Sequence, residues 1–144
     1  MPADLEALGR AVKQVQYRHH RALDAQLAAV GTTLAQWDAL RAIARSPGAS
    51  AHTLAVETFQ SDQSFGTLAN RLADQGLITR RAGRGRRIEH RLTAAGKKVL
   101  QAGHPIAMKI FAASFAQLSE KERSTLLDLL LRILSGHKVE PGTH

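Results

Sequence analysis

The sequence predicts a mainly α-helical fold with one small β-hairpin, on three observations. Apolar residues recur at threes and fours through most of the chain, which is the period of helices that bury one face. Ser and Thr stand just before several of these periodic runs, and Gly or Pro just after them, which is the punctuation of helix starts and stops. Only two short stretches, Leu77 to Arg80 and Arg87 to Thr93, are β-favouring, and Ala82-Gly83-Arg84-Gly85 lies between them.

In chain order, Leu5, Leu8, Val12, Val15, His19, Leu23 and Leu27 mark a long amphipathic helix from Asp4 to Val30, ended by Gly31. Thr33 caps a second helix with Leu34, Trp37, Leu40, Ile43 and Ala44 on its apolar face, broken by Ser46-Pro47-Gly48. Ser50 caps a short third helix that turns Leu54 and Ala55 inward. Ser61 is the N-cap of a fourth, striped by Phe65, Leu68, Ala69 and Leu72, with Gly76 at its exit. In the second half of the hairpin, Ile88, His90 and Leu92 fall on one side, and a glycine-rich tip suits the turn. From Ala94 a helix runs to about Gln117, with a kink expected around Gly96, Gly103 and Pro105 because proline removes a donor inside a helix. The last helix opens on a capping box, Ser119-Glu120-Lys121-Glu122. Its leucines, Leu126, Leu127, Leu129, Leu130 and Leu134 with Ile133, form an arc too wide for one contact face. That excess of exposed leucine at the chain ends points to a homodimer built from them.

The chain has 144 residues and 44% hydrophobic content, enough for one domain with a core. Twenty Lys and Arg against twelve Asp and Glu leave +8, and the pI near 10.8 favours a polyanionic partner over an acidic membrane surface. With no cysteine, disulfides, thiolate-bound zinc and thiol redox sensing are excluded. The acidic N-terminus, with Asp4 and Glu6, is unlike a signal peptide, and no run approaches the ~20 apolar residues of a membrane span; a cytoplasmic protein is expected. His19, His20 and Asp24 lie close on one helix, but a metal site needs three or four converging ligands, so no metal or other cofactor is expected. No phosphate loop, nucleophile elbow or zinc-protease motif occurs, and an enzyme is not expected.

The charge is concentrated where it is most informative. Thr79 to Arg91 reads T-R-R-A-G-R-G-R-R-I-E-H-R, six arginines around two glycines with one acid, directly after the polar-faced helix that begins at Ser61. Clustered arginines bind phosphates, whereas sequence is read by a few side chains on a helix. The pair therefore reads as a winged helix-turn-helix for double-stranded DNA, flanked by terminal dimerisation helices.

The order of elements, together with Thr33-Leu34-Ala35-Gln36-Trp37-Asp38-Ala39-Leu40-Arg41-Ala42-Ile43, Leu54-Ala55, Asn70-Arg71-Leu72-Ala73-Asp74-Gln75-Gly76-Leu77-Ile78, Leu92-Thr93-Ala94-Ala95-Gly96 and Leu118-Ser119-Glu120-Lys121-Glu122-Arg123, closely resembles the MarR family of bacterial transcription regulators. The resemblance covers nearly the whole chain. It implies a single MarR-type domain over 1–144, with a DNA-binding lobe at 33–93 and dimerisation helices at 4–30 and 94–136. It also implies a homodimer on a pseudo-palindromic operator, usually acting as a repressor whose grip a ligand, such as a small-molecule effector, or a stress signal weakens. The family's wing carries Asp-x-Arg a few residues before Leu-Thr. Aligned from Leu92-Thr93, the arginine is Arg86 and the aspartate is replaced by Arg84.

On the fourth helix the resemblance places Asp62, Gln63, Ser64, Thr67 and Arg71 toward the major groove. Gln63 suits a bidentate pair with adenine and Thr67 suits thymine, while Asp62 fits a first-turn acid better than a cytosine reader. Gly66 in mid-helix lets the backbone approach DNA or the third helix. In the wing, Arg81, Arg84, Arg86 and Arg87 are the DNA-contacting candidates; Arg80 and Arg91 pack against the body or pair with acids. Tyr17, His20, Trp37 and Arg41 are placed near the family's effector pocket. Trp37 is also the natural occupant of an ordinary core. The competing function is a nucleic-acid-binding architectural protein that uses the same charge without sequence selection.

Overall fold

The computed structural model describes residues 4–85 and 87–136. The chain divides into two compact units between Ile110 and Phe111, a boundary that falls within the helix Ala94–Ser114.

Helix α1, Leu5–Leu27, begins where the Asp4 carboxylate accepts from the Glu6 N–H, and a 3-10 turn at Ala28–Val30 carries it to Gly31, whose φ of 76° ends it. Only Leu23 and Leu27 of α1 are buried; Leu5, Leu8, Val12 and Val15 are exposed. Helix α2, Leu34–Arg45, is capped by the Thr33 hydroxyl, and Asp24 of α1 accepts a further bond from the Leu34 N–H at 3.0 Å. The Thr32 hydroxyl and Gln36 side chain, both buried, satisfy one another at 3.2 Å.

Helices α3, Ala51–Glu57, and α4, Asp62–Asp74, are capped by Ser50 and Ser61 as their sequences predict. The turn between them holds a feature that periodicity does not signal: Phe59 adopts φ 59° and is 96% exposed. A left-handed non-glycine residue costs roughly 1–2 kcal/mol, so the turn is set by its surroundings. The Thr58 hydroxyl donates to the Leu54 carbonyl at 2.7 Å and the Gln60 N–H to the Ala55 carbonyl at 2.9 Å.

Strands β1, Ile78–Ala82, and β2, Ile88–Leu92, pair antiparallel with Ile78 opposite Leu92 and Ala82 opposite Ile88. The expected inward side of β2 is graded: His90 is buried, Leu92 half-buried and Ile88 exposed. The reason is position along the hairpin, since Ile88 pairs near the tip, beyond the body. Leu40, Ile43, Leu54, Phe65, Leu72 and Ile78, from α2, α3, α4 and β1, close one apolar core.

Helix α5, Ala94–Ser114, is one continuous helix that contains Pro105 and ends three residues short of Gln117. Its glycines serve contact. At Gly96 a side chain would strike the Leu77 carbonyl, and at Gly103 it would strike the Trp37 indole. The indole N–H donates to the Leu100 carbonyl at 3.1 Å, so Trp37 is both core and a link to α5. In the second unit, α6, Glu120–Ser135, has the full capping box: the Ser119 hydroxyl accepts from the Glu122 N–H at 3.1 Å, and the Glu122 carboxylate accepts from the Ser119 N–H at 2.9 Å. No residue of α6 is buried.

Candidate nucleic-acid interface

The face of α4 opposite Phe65, Leu68, Ala69 and Leu72 is open: Asp62, Gln63, Ser64, Thr67 and Arg71 are all exposed. This is what a 3.6-residue period dictates once the apolar stripe has been buried. Two of the five have local partners. Asp62 holds His52 of α3, with Nδ1 at 3.0 and 3.2 Å from its two carboxylate oxygens. The Thr67 hydroxyl donates to the Gln63 carbonyl at 3.2 Å. A Cβ at Gly66 would meet nothing within 4 Å. Close approach to α3 is therefore not the reason for glycine there.

The hairpin is tied to the body at defined points. The Arg80 guanidinium donates to the Asn70 side-chain carbonyl on α4 at 2.6 Å, and Arg91 stands 3.6 Å from Glu89, the roles expected of these two arginines. Arg87, expected among the DNA contacts, donates through Nη2 to the Gly48 carbonyl at 3.1 Å, although it stays exposed. Arg81 and Arg84 are exposed, while Arg86 lies outside the described residues. At the tip, the Gly83 N–H donates to the Arg87 carbonyl at 2.8 Å, and Gly85 adopts φ 70°.

The inner side of β2 joins the loop after α2. The Gly48 N–H donates to the His90 carbonyl at 2.9 Å, and the His90 N–H to the Ala49 carbonyl at 3.2 Å. His90 Nδ1 also lies 2.9 Å from that carbonyl, and its ring meets the edge of Phe65 at 6.1 Å between centroids. A buried histidine thus fastens the wing to both the α2–α3 loop and the core beneath α4. Alternation places it; only the fold supplies its partners.

A cleft of about 370 Å³ opens between α2 and α5, lined by Trp37, Arg41, Ala44, Arg45, Leu100, Gln101 and His104. The Arg41 guanidinium lies over the Trp37 ring, 4.7 Å from its centroid. Of the four pocket residues expected, Trp37 and Arg41 line this cleft; Tyr17 and His20 do not. Tyr17 is exposed on α1 with Arg21 over its ring at 5.8 Å. Burial pushes the Asp38 carboxyl above its ordinary value, against the pull of Arg41, Arg45 and His20. The α5 contributors escaped sequence reading because their register follows from Gly103 seating on Trp37. Among the described residues, no group of three or more His, Asp or Glu is placed to hold a metal ion, and no helix is long and apolar enough to cross a membrane.

Comparison with known proteins agrees with this arrangement. The model of the MarR family matches residues 30–88. A probable transcriptional regulator from Pseudomonas aeruginosa, known from its crystal structure, is 32% identical, covers 87% of this chain and 95% of its own, and superposes with a TM-score of 0.75. The HTH-type transcriptional repressor Rv2887 of Mycobacterium tuberculosis is 26% identical over 113 residues, 77% of this chain and 81% of the relative. Its structure in complex with p-aminosalicylic acid gives a TM-score of 0.76 over 92% of this chain and 100% of that one; the same protein has been solved with salicylic acid and with DNA. A mutant MarR from Escherichia coli, complexed with operator DNA, shares the fold at a TM-score of 0.81 and 22% identity, over 92% of this chain and 99% of that one. Capped helix-turn-helix, arginine-bearing hairpin and the relatives that share them lead to one conclusion: this chain belongs to the MarR family of transcription regulators.

Proposed function

We propose that the protein is a sequence-specific DNA-binding repressor that works as a homodimer on a pseudo-palindromic operator and is released by a small aromatic acid. The observation that carries this reading is the joining of an open polar face on α4 to an arginine-bearing hairpin through Arg80 and Asn70. One surface thereby offers base readers and phosphate partners together. Gln63, Ser64, Thr67 and Arg71 enter the major groove, with Asp62 at the helix start, while Arg81 and Arg84 neutralise backbone phosphates and Arg87 adds charge from its tether on Gly48. The lobe at 33–93 binds DNA. The helices at either end of the chain make the dimer, because they expose leucine and valine that the subunit itself leaves uncovered.

For the effector, the cleft between α2 and α5 combines an indole edge with the cations of Arg41 and Arg45. That is the chemistry for an aromatic carboxylate: a flat apolar body and an anionic end. The mycobacterial relative's complexes with salicylic and p-aminosalicylic acids support the same class. Selection of bound sequences from a random DNA pool tests the primary reading, and an inverted repeat should emerge. Recovery of unrelated sequences would instead favour an architectural role. Salicylate should quench or shift emission from Trp37, the chain's single tryptophan, and weaken operator binding; Arg41→Ala should blunt both effects.

A further inference from the structure

Within the arginine-rich hairpin, the single acid is Glu89, and its surroundings are unusually specific. It pairs in register with Arg81 across the hairpin, so the two side chains share a face. On the same strand and face Arg91 stands 3.6 Å away. The Glu89 side chain is only partly exposed, unlike the arginines around it, because it lies against two glycines from different parts of the chain. At Gly83, near the tip, an added Cβ would stand 2.8 Å from Glu89 Cγ and 2.9 Å from Oε2; at Gly48, in the loop after α2, it would stand 3.0 Å from Oε1 and 2.9 Å from Arg91 Nη2. The space of two absent side chains is filled by this one carboxylate arm.

We propose that Glu89 is the positioning residue of the wing: its side chain, seated between Gly48 and Gly83 beside Arg91, holds the tip at the angle from which Arg81 and Arg84 meet DNA. The mechanical case rests on where the seat lies. Gly48 is already fastened to β2 by its N–H on the His90 carbonyl and its carbonyl under Arg87, so it is a fixed point of the body. Gly83 is the first residue beyond β1. A two-stranded ribbon is by itself marginal and free to twist, and the Glu89 arm spans from fixed point to tip. Its charge also sits amid Arg81, Arg87 and Arg91, where mutual repulsion would otherwise spread the ribbon.

This role, which rests on the DNA-binding reading above, leads to an expectation opposite to that of simple charge. Removing an acid beside a DNA-binding surface should strengthen binding by Coulomb attraction alone. Removing a positioning residue should weaken it. Glu89→Ala is expected to lower operator affinity by about tenfold, as coupled neighbours do, and to speed amide exchange at residues 82–85. Gly83→Ala changes no charge but displaces the Glu89 arm, and it should produce the same loss; it carries the test if Glu89→Ala fails to fold. In a protein already bearing Arg81→Ala and Arg84→Ala, both losses should largely disappear, because the tip then has little to position. Tighter or unchanged operator binding by Glu89→Ala would overturn the proposal. So would losses that persist in full in the doubly substituted background, which would mark general destabilisation. Failure of the wild-type protein to select any DNA is a separate outcome that defeats the functional reading itself.

Discussion

The lobe that carries α2 to β2 holds seven leucines and the much shorter helix α6 holds six, yet they treat their apolar side chains oppositely. In the lobe, Leu40, Leu54, Phe65 and Leu72 are wholly buried. Along α6, Leu127, Leu129, Leu130, Leu131, Ile133 and Leu134 are all exposed, Leu134 by 74%. One region completes its own core; the other displays half of one. Contiguous apolar surface of that extent is characteristic of an interaction site, so if the proposed dimer forms through it, the lobe's stability should be a property of the subunit, and that of α6 a property of the assembly.

Five experiments break or sharpen this contrast, from the largest effect to the smallest. Phe65→Ala empties a fully enclosed site and should cost about 3–5 kcal/mol in chemical denaturation, a large share of a typical domain's stability; a loss below 1 kcal/mol would show that the lobe core is not the source of stability. Truncation before Leu118 should leave monomer or aggregate in sedimentation, where the full chain sediments as a dimer whose melting temperature rises with concentration. A full-length monomer at micromolar concentration would end the argument from α6. Gln63→Ala and Thr67→Ala should each cost about 1–3 kcal/mol on the operator and much less on random DNA, without moving the lobe's melting. Equal losses on both DNAs would demote α4 to a phosphate clamp.

Ser119→Ala removes the α6 cap and should cost about 0.5–2 kcal/mol, read from the dimer's unfolding. The Glu122 carboxyl is held below its ordinary 4.5 by the Ser119 backbone N–H and then by its hydroxyl. A lowered acid pKa means that the linked stability is present above the ordinary value and lost as pH falls through the lowered one. With the hydroxyl removed and the backbone N–H still in place, a carbon-detected titration of Glu122 should move part of the way back toward 4.5; an unmoved titration would show that the hydroxyl does not help hold the carboxylate. The smallest effect is of opposite sign. Gly66→Ala places a methyl where nothing lies within 4 Å and should stabilise α4 by up to about 1 kcal/mol. If operator affinity falls at the same time, the helix backbone approaches DNA at Gly66; if it does not, this glycine is neutral to binding.

Much of the molecule was legible before folding. Four helices opened at the caps assigned to them, Thr33, Ser50, Ser61 and Ser119, because capping is a bond between residues three or fewer apart and is written locally. The buried stripe of α4 and its open polar face follow from one period, so the candidate base readers were legible with it. The sequence also marked the hairpin and its arginine excess. What it could not assign was partnership over distance. Whether Arg87 reaches outward or binds the Gly48 carbonyl, why Gly103 must be glycine, and which α5 side chains complete the cleft with Trp37 are all decided by contacts between residues tens of positions apart. Local periodicity carries no information about those contacts. The sequence by itself determined the elements, their caps and their faces, since these depend on neighbouring residues alone; the tertiary structure decided which faces meet and so which arginines remain for DNA, since each hydrogen bond a guanidinium makes to the body restrains it there.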